Sequence, residues 1–498
     1  MTKKLELRPY QNNSITMVRE AMRRGNKRIL YVLATGGGKT LIASEIIAMA
    51  RSLGKRVAFV CNRIQLINQT REKLNQHGIP HGVIQGNNTL EPWRDVLVAS
   101  IQTVAKRGLP EVDLLIFDEA HCTGSSESYW PLMEGKYCIG LTATPWAKAM
   151  GKYHKNLNGP LWETTVVGAM MSDLIAQDYL VSAEFWAPAV PDLRGVKTVA
   201  GDYDETQLGE VMDKPKLTGD IVQHWLKLAF DSQTLCFTVN IAHSQHLVSE
   251  FCDAGVNAVH VDYKMSIEDK EEIYRRFRAG EIRVLSNCAL LSEGADFPNC
   301  TTMILARPTK SKIRYVQMVG RILRPYPGKQ AKVLDHSGTC LRLGLPWDIP
   351  VGKLDDGKPK KSKGEGEEKV YIAKPCPKCH FIKPPKTPTC PQCGFKATKP
   401  CDLENDEGEL VPMTKGTVTP AMAAIQSLGK QQVYSELLYI CHTKGYKPGW
   451  TSNQYRDIFG VWPRGLEEIQ IAPGPNVLSW LRHKQIRYIK GKQRGSNP

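Results

Sequence analysis

Short apolar runs alternate with helical segments through the first third of the chain. Each run is long enough for a buried strand, and the segments between the runs repeat their apolar positions every three to four residues. Apolar runs without polar alternation are typical of parallel sheets that are covered on both faces. The predicted strands are 29–33, 57–60, 96–99, 114–117 and 138–141, and the predicted helices are 13–23, 41–53 and 64–77. The pattern predicts an α/β domain.

The same alternation returns after residue 215, beyond a connector in which we expect a helix near 167–177 and irregular structure at 196–203. Ser266 followed by two acids is typical of a helix start, because the hydroxyl caps free N–H groups and the acids favour the helix dipole. A second parallel sheet is therefore predicted. Its strands are 234–239, 258–261, 284–286, 302–305 and 333–337, and its helices are 243–254, 266–278 and 313–323.

A glycine-rich loop joins the first predicted strand to the next helix. The loop contains Thr35, Gly36, Gly37, Gly38, Lys39 and Thr40. Because glycine allows positive φ, the N–H groups of the loop can turn inward at a helix N-terminus that favours an anion. Lys39 can reach terminal phosphates, and the Thr40 hydroxyl can bind Mg²⁺. The strict phosphate-binding pattern has Gly where this chain has Leu33, so a glycine turn used only for packing is the alternative to a nucleotide site.

The predicted strand 114–117 runs directly into Asp118 and Glu119. Carboxylates at the carboxyl ends of parallel strands stand where such sheets bind ligands. Asp118 can hold Mg²⁺ through water, and Glu119 can polarise an attacking water. Two acids that are merely solvated are the alternative, which a shared sheet with the glycine loop disfavours. A further strand ends in Thr142 and Thr144, whose hydroxyls could pass the state of a phosphate site to a neighbouring domain.

Composition adds a charge argument. The 498 residues carry 66 Lys or Arg against 50 Asp or Glu, a net charge of +16, which predicts a polyanionic partner, most simply nucleic acid. A generically basic protein is the alternative. The first residues lack the apolar region of a signal peptide, and we find no apolar stretch of membrane-spanning length, so no membrane association is expected. Of the 14 cysteines, ten are scattered, which fits a reducing cytoplasm.

The remaining four cysteines form two Cys-x-x-Cys pairs with ten residues between them. They are Cys376, Cys379, Cys390 and Cys393. Each pair places two thiolates on one side of a tetrahedral ion, so we predict a small zinc ribbon whose folding depends on the metal. His380 could replace a cysteine as a ligand, but four thiolates suffice. A redox dithiol is disfavoured because two pairs lie close together outside any strand-helix setting.

The tail from Gly429 onward is basic and aromatic. Eleven Lys or Arg stand against four Asp or Glu, a net charge of +7. Basic residues with interleaved aromatics suit phosphates and unstacked bases. For Tyr439, Trp450 and Trp462, the core of a small helical module is the better interpretation. We expect DNA contact at the basic end, 482–494.

The motifs occur together and in one order, at 34–40, 118–121, 142–145 and 317–324. With these segments the chain resembles the superfamily 2 helicases of the DEAH-box type, over about residues 7–338. The resemblance implies two tandem RecA-like domains that bind ATP and Mg²⁺ between them. It also implies that Gln317, Arg321 and Arg324 complete the ATP site from the second domain, the arginines acting as arginine fingers when the cleft closes.

Further residues are assigned by the same resemblance. Gly294 and Asp296 match the fifth motif of the family. Gln11, with Arg8 nearby, is implied to contact adenine, although a polar residue near a helix start is the simpler interpretation of Gln11 in isolation. The family comparison also implies that a nucleic-acid strand lies near Arg63, residues 100–103 and residues 238–240.

The order of two helicase domains, a zinc ribbon and a basic module resembles the bacterial RadD-type proteins and some phage-encoded helicases. It implies an ATP-dependent motor on single-stranded, forked or branched DNA in repair, recombination or replication, with a single-strand-binding or recombination protein as a further partner. One alternative is a motor that remodels branched DNA or displaces proteins without processive unwinding. Another is a non-catalytic repair adaptor. A nuclease is disfavoured because no second cluster of metal-binding carboxylates is evident.

These interpretations divide the chain into seven parts. They are a first RecA-like domain (1–165), a connector (166–215), a second RecA-like domain (216–345), a flexible linker (346–372), a zinc ribbon (373–397), a polar linker (398–428) and a basic, mainly helical module (429–498).

Overall fold

A computed structural model describes residues 6–125, 127–187, 190–288, 297–358, 374–384, 387–396, 420–447, 449–482 and 484. The chain divides into two compact units, Met1–Thr398 and Lys399–Pro498. Each unit is described separately below. Within the described residues, no helix combines the length and the apolar character needed to span a membrane.

The first sheet has eight strands in the order β10-β1-β7-β6-β2-β5-β3-β4, all parallel except the β3–β4 pair. Its strands are β1 (Arg28–Val32), β2 (Val57–Cys61), β3 (Gly82–Gln85), β4 (Asn88–Leu90), β5 (Val96–Ser100), β6 (Leu114–Phe117), β7 (Tyr137–Thr142) and β10 (Thr164–Val167), and a separate hairpin consists of β8 (Tyr153–His154) and β9 (Gly159–Pro160). The associated helices are α1 (Pro9–Arg23), α2 (Lys39–Ser52), α3 (Ile64–Gln76) and α4 (Ile101–Arg107).

Alternate residues of the central strands enter separate cores on the two faces of this sheet. Ile29 and Tyr31 of β1 belong to one core, and Leu30 and Val32 belong to the other. All four side chains are fully buried. Burial on both faces explains why the strand reads as an uninterrupted apolar run rather than as an alternating one.

The second sheet has six parallel strands in the order β11-β18-β17-β14-β16-β15. They are β11 (Ala183–Trp186), β14 (Thr234–Phe237), β15 (Ala258–Val261), β16 (Val284–Asn287), β17 (Thr302–Leu305) and β18 (Ala331–Asp335), and a separate hairpin consists of β12 (Thr198–Val199) and β13 (Asp202–Tyr203). The associated helices are α5 (Met171–Ala176), α6 (Glu205–Met212), α7 (Pro215–Ala229), α8 (Ile241–Asp253), α9 (Ile267–Arg278), α10 (Lys312–Val319) and α11 (Thr339–Leu343). As expected, Ser266 caps α9: its hydroxyl accepts a hydrogen bond from the Asp269 N–H at 3.0 Å.

The connector expected at 166–215 contains parts of both sheets. Strand β10 crosses the predicted boundary at residue 165 and pairs with β1, and β11 forms an edge of the second sheet. The stretch expected to be irregular, 196–203, forms the β12–β13 hairpin. These strands are short, and their pairing with distant segments gives them an order that local periodicity does not reveal.

Residues 346–358 do not form the flexible linker that composition predicts. The indole N–H of Trp146 donates to the Pro350 carbonyl at 2.8 Å, and the Asp355 carboxylate accepts from the Ala149 N–H at 2.9 Å. Leu354 packs against a core of the first domain. This segment therefore runs from the end of the second domain back onto the first, and the rest of the predicted linker, from 359 onward, lies outside the described residues.

The cysteine-rich segment joins the edge of the second sheet. The Ile382 N–H donates to the Phe185 carbonyl at 2.8 Å, and the Ala187 N–H donates to the His380 carbonyl at 3.1 Å, so Phe381 forms an antiparallel bridge with Trp186. The rings of Trp186 and Phe381 pack edge to face at 5.4 Å. The segment is thus an extension of the second domain on the side of β11.

The second unit contains α12 (Pro420–Gln426), α13 (Lys430–Thr443), α14 (Gly449–Phe459) and a further helical segment at 475–482. Leu437, Tyr455 and Val477 lie at its core, and Trp450 packs against them. Tyr439 and Trp462 are 38% and 48% exposed, so the core position expected for these two aromatics is wrong. Of the expected DNA-contacting end, 482–494, only Arg482 and Lys484 are described.

Candidate nucleotide-binding site

The glycine loop curls between β1 and α2 through two left-handed residues. Gly36 and Gly38 have φ angles of 83° and 87°. A Cβ atom on Gly38 would lie 2.5 Å from Nε2 of Gln11, so side chains are excluded by space as well as by φ. Gly38 directly precedes Lys39, the first residue of α2, which places the loop at a helix N-terminus. This is the backbone arrangement that favours an anion.

The start of α1 holds the loop in place. Gln11 is 2% exposed; its Nε2 donates to the Gly37 carbonyl at 3.0 Å, and its Oε1 accepts from the Arg8 N–H at 2.9 Å. The Tyr10 hydroxyl also donates to the Gly37 carbonyl, at 2.8 Å. Gln11 therefore contacts the phosphate loop directly, and a contact of Gln11 with adenine stays a prediction.

An aromatic and cationic cluster lies beside α1. The guanidinium of Arg8 is 4.3 Å from the centre of the Tyr179 ring, and the rings of Tyr10 and Tyr179 are 5.2 Å apart. Tyr179 and its neighbour Leu180 lie in the connector, where the sequence gives no signal for a site. A Cβ atom on Gly36 would lie 2.9 Å from Leu180, so the connector reaches the glycine loop itself.

The two acids at the end of β6 have different electrostatic surroundings. Burial raises the pKa of Asp118 to about 6, helped by the negative charge of Glu119. Burial also opposes ionisation of Glu119, but Lys39, His121 and Arg321 outweigh it and lower the pKa of Glu119 to about 2. Glu119 has a φ of 47°, an unusual conformation for a residue other than glycine. In the part of the chain that the structure describes, its buried oxygen Oε2 meets no donor other than His121, whose Nδ1 lies 3.2 Å away.

His121 connects the acids to the threonines at the end of β7. Its Nδ1 lies 3.2 Å from the Thr142 hydroxyl and 3.3 Å from the Thr144 hydroxyl. Burial lowers the pKa of His121, but hydrogen bonds to Cys122 and Glu119 outweigh it and raise the pKa to about 10. The residues expected to relay the state of the site are therefore in contact with it.

The arginine-bearing segment of the second domain packs against the glycine loop. A Cβ atom on Gly320 would lie 2.8 Å from Cβ of Thr35, and one on Gly36 would lie 3.9 Å from Cγ of Arg324. Arg321 is near enough to Glu119 to lower its pKa. Gln317 is 6% exposed, and its buried Nε2 has no hydrogen-bond partner within the described ranges. The glycine loop, the two acids and the arginines thus line one cleft between the two sheets.

We expect Gly320→Ala to impair closure of this cleft. Because overpacking costs about 1–3 kcal/mol, kcat for ATP hydrolysis should fall about ten- to hundredfold while thermal stability changes little. Gly219→Ala is the matched control, since a Cβ atom there would meet no atom of the described residues within 4 Å. Steady-state phosphate release at saturating ATP measures the difference. Equal kcat for the two variants would show that the contact with Thr35 is not required in the working state.

Two predicted site residues, Gly294 and Asp296, lie outside the described residues. The predicted strand contacts divide into two groups. Arg63 and Gln102 of the first domain are exposed. Thr238 of the second domain is fully buried and donates to the Asn287 carbonyl at 3.0 Å, and Asn240 caps α8, so a strand contact by Thr238 is wrong. Helix α6 packs closely at Gly209, where a Cβ atom would lie 2.4 Å from Nδ2 of Asn240.

The four predicted metal ligands converge. The Sγ atoms of Cys376, Cys379, Cys390 and Cys393 all lie within 4.8 Å of one another. Two of the separations, Cys376–Cys393 and Cys379–Cys390, are 3.7 Å. Tetrahedral Zn–S bonds of about 2.3 Å require S–S separations of about 3.8 Å. The donor set and its spacing therefore fit zinc.

Two parallel-sheet domains that enclose a glycine loop, a strand-end Asp-Glu pair and an arginine segment define a class of ATP-hydrolysing motor domains. Two sequence families match the chain: the type III restriction enzyme res subunit over residues 4–147, and the helicase conserved C-terminal domain over residues 215–326. The chain belongs to the superfamily 2 helicases.

The relatives include phage and archaeal proteins. A 51.5 kDa protein of a Lactococcus phage is 30% identical over 366 residues, covering 72% of this chain and 76% of the relative. The DNA 3'-5' translocase XPB2 of Sulfurisphaera tokodaii is 27% identical over 364 residues, covering 64% of this chain and 79% of the relative. The ATP-dependent type ISP restriction-modification enzyme LlaBIII, solved bound to DNA, shares the fold with a TM-score of 0.52 at 21% identity; the match covers 67% of this chain and 28% of that enzyme.

Proposed function

We propose that this protein is an ATP-driven motor that moves along DNA, with ATP bound between its two RecA-like domains. The observation that carries the proposal is the contact of the Gly320–Arg324 segment with the glycine loop at Thr35 and Gly36. A site shared between two domains requires them to close for hydrolysis and lets them separate afterwards, which converts a chemical cycle into relative movement.

In this proposal each residue of the cleft has a distinct task. The N–H groups of Gly36–Thr40 and the Lys39 ammonium bind the phosphates, and Arg8 and Gln11 lie on the adenine side. Glu119, ionised at neutral pH, orients and deprotonates the attacking water. Gln317, Arg321 and Arg324 neutralise the charge that develops on the transferred phosphoryl group. Gly294 and Asp296, which lie outside the described residues, are assigned to nucleotide binding by the family resemblance.

A divalent ion fits the other residues of the cleft. The Thr40 hydroxyl and the buried Asp118 carboxylate would hold Mg²⁺, which prefers oxygen ligands. Burial and the charge of Glu119 both disfavour the ionised form of Asp118. A cation bound beside Asp118 would stabilise that ionised form. When bound, Mg²⁺ would neutralise phosphate charge.

DNA is the proposed partner. The net charge of +16, the DNA translocase named among the relatives and the DNA-bound restriction enzyme of the same fold support it. The test is the ATPase rate with matched single-stranded, duplex, forked and RNA ligands. We expect DNA to stimulate kcat and RNA to have a weaker effect. Stimulation by RNA alone would move the proposal to an RNA motor, and no ATPase with any ligand would support a non-catalytic adaptor.

We place the activity in DNA repair, recombination or replication, as the RadD-type order of domains implies. A strand-displacement assay beside a fork-regression assay distinguishes processive unwinding from remodelling of branched DNA. A processive helicase should separate the strands of long duplexes. A motor that only remodels branched DNA should convert forked substrates and leave long duplexes intact.

We also propose that the four cysteines bind one structural zinc ion and that this ion stabilises the edge of the second sheet. Loss of the metal should release the segment that bridges β11, and with it Ile382, which is 4% exposed. Burial of such a side chain is worth about 1.5–3 kcal/mol, so we expect Cys390→Ser to lower the unfolding temperature by several degrees.

Elemental analysis and thermal unfolding measure the two effects of Cys390→Ser together. Cys252→Ser, at an exposed free cysteine of the second domain, is the matched control and should leave both zinc content and unfolding temperature unchanged. A purified protein without zinc, or a Cys390→Ser variant that keeps a full equivalent, would contradict the assignment.

A further inference from the structure

A continuous line of polar contacts joins the exposed face of the first domain to Glu119. The Ser100 hydroxyl donates to Oε1 of Gln102 at 2.8 Å, and Nε2 of Gln102 donates to the Asn62 carbonyl at 2.9 Å. Nδ2 of Asn62 donates to Sγ of Cys122 at 3.3 Å. The line begins at residues that the family resemblance places beside a nucleic-acid strand.

From Cys122 the line continues to the catalytic carboxylate. His121 is hydrogen-bonded to the Cys122 side chain and lies 3.2 Å from Oε2 of Glu119. The Cys122 N–H also donates to the Glu119 carbonyl at 2.9 Å. The loop that carries Glu119 is therefore attached, through Cys122, to a residue at the end of the neighbouring strand β2.

Asn62 is the central residue of this line because both its backbone and its side chain form hydrogen bonds. Its backbone carbonyl is bound to Gln102 of the exposed face, and its side chain is bound to the loop of the acids. Among the described residues its buried Oδ1 has no hydrogen-bond partner, so the amide has an unused acceptor in this part of the structure. Arg63, the next residue, is exposed. A strand that binds at Arg63 and Gln102 would thus act directly on the backbone of Asn62.

The loop at the other end is sensitive to small movements. Glu119 is held at a φ of 47°, a strained conformation that its surroundings must maintain. A general base must lie within hydrogen-bond reach of the water that it activates, so a displacement of a few tenths of an ångström changes its efficiency. A contact that shifts Cys122 therefore has a route to the rate of hydrolysis.

We infer that Asn62 is a positioning residue that transmits DNA binding on the first domain to Glu119, and that this contact accounts for much of the stimulation of ATP hydrolysis by DNA. The inference rests on the proposed function, since it assumes that the protein binds DNA and that Glu119 is the base. It assigns a role to Asn62, and to Cys122 as its partner, that neither the glycine loop nor the arginine segment supplies.

The experiment compares full-length wild type with Asn62→Ala, Cys122→Ala, Cys122→Ser and the double alanine variant. For each, the ratio of DNA-stimulated to basal kcat, the KM for ATP and the Kd for a single-stranded oligonucleotide are measured. Coupling between two sites is typically about 5- to 150-fold, so we expect Asn62→Ala to lower the ratio at least about fivefold. KM and Kd should stay within about twofold, as for a change that touches neither ligand.

The partner variants test the contact itself. Cys122→Ala removes the contact with Asn62 and also the hydrogen bond with His121, so it should lower the ratio at least as much as Asn62→Ala does. The double variant should lower the ratio no further than Cys122→Ala, because the Asn62–Cys122 contact is already lost in that variant. Cys122→Ser keeps an acceptor for the amide and should retain stimulation. Asn75→Ala, at an exposed asparagine of α3, is the matched control and should behave as wild type.

The outcomes separate the two proposals. A wild-type ATPase without any DNA stimulation overturns the proposed DNA motor and this inference with it. Stimulation in wild type that survives undiminished in Asn62→Ala, or additive effects in the double variant, overturns the inference alone. A fall in kcat with matching rises in KM and Kd, together with a lowered unfolding temperature, would show that Asn62 has a structural role. This result would also overturn the inference.

Discussion

Glu119→Gln should bind ATP with nearly unchanged affinity and lose almost all hydrolysis. The substitution keeps the size of the side chain and removes the carboxylate that Lys39, His121 and Arg321 hold ionised. General-base catalysis contributes about 10²–10⁴-fold, so kcat should fall by that factor. In the proposed site the phosphates bind at the glycine loop, which this change does not touch. Steady-state phosphate release gives kcat, and calorimetric titration with ATP gives the affinity.

Glu111→Gln is the matched control for this prediction. Glu111 is exposed and precedes β6, whereas Glu119 follows it, so the same chemical change is made at the opposite end of one strand. The control should keep wild-type kcat. A Glu119→Gln variant with full DNA-stimulated turnover would show that another group activates the water, and the assignment of the acids would have to be abandoned.

Arg324→Ala should reduce kcat about 10³-fold or more, the range in which a catalytic arginine supplied from a second domain acts. The stem of Arg324 lies beside Gly36 of the glycine loop, at which the proposed function places the phosphates. The kcat of Arg324→Lys should be little higher than that of Arg324→Ala. A lysine ammonium keeps the positive charge but lacks the planar guanidinium that can contact two phosphate oxygens. Single-turnover hydrolysis at saturating ATP separates this loss from weaker binding.

Arg194→Ala removes an arginine that is 91% exposed and pairs with Asp192, so it controls for the loss of one positive charge. Its kcat should equal that of wild type. If Arg324→Ala retained more than a tenth of wild-type kcat, the two halves would not share a hydrolytic site, and the motor mechanism would lose its basis.

The sequence by itself determined the central strands of both sheets and the residue motifs of the proposed site. The ten predicted strands each match an observed strand within two residues, because strands covered on both faces must be apolar throughout, as β1 and β6 are. The mostly buried strand β3 and the helices α4, α6 and α7 were not predicted. The glycine loop, the acids after β6 and the four cysteines were recognisable because their chemistry requires particular residue types at fixed spacing along the chain. Features of this kind depend on residues that are adjacent in the sequence.

Contacts between segments far apart in the chain were decided only by the tertiary structure. Strand β11 lies in a stretch that reads as a connector, and it becomes a strand because β18 and the cysteine segment pair with its two sides. Residues 346–358 are polar enough to be a linker, but Trp146 and Ala149 bind them to the first domain. Both segments are ordered by contacts with residues far away in the sequence, and the hydrophobic periodicity of a short segment cannot predict such contacts.

The same difference between local sequence pattern and packing of distant segments applies to the proposed nucleotide site. Gly36 and Arg324 could each be identified from a motif, but their proximity depends on how the two sheets pack. Tyr179 and Leu180 approach these residues and Tyr10 only through that packing. Thr238 was expected on a strand-binding face, yet it is buried and bonded to the Asn287 carbonyl. Residue type and spacing determined the chemistry that this chain can perform, whereas packing between distant segments decided which of those residues meet.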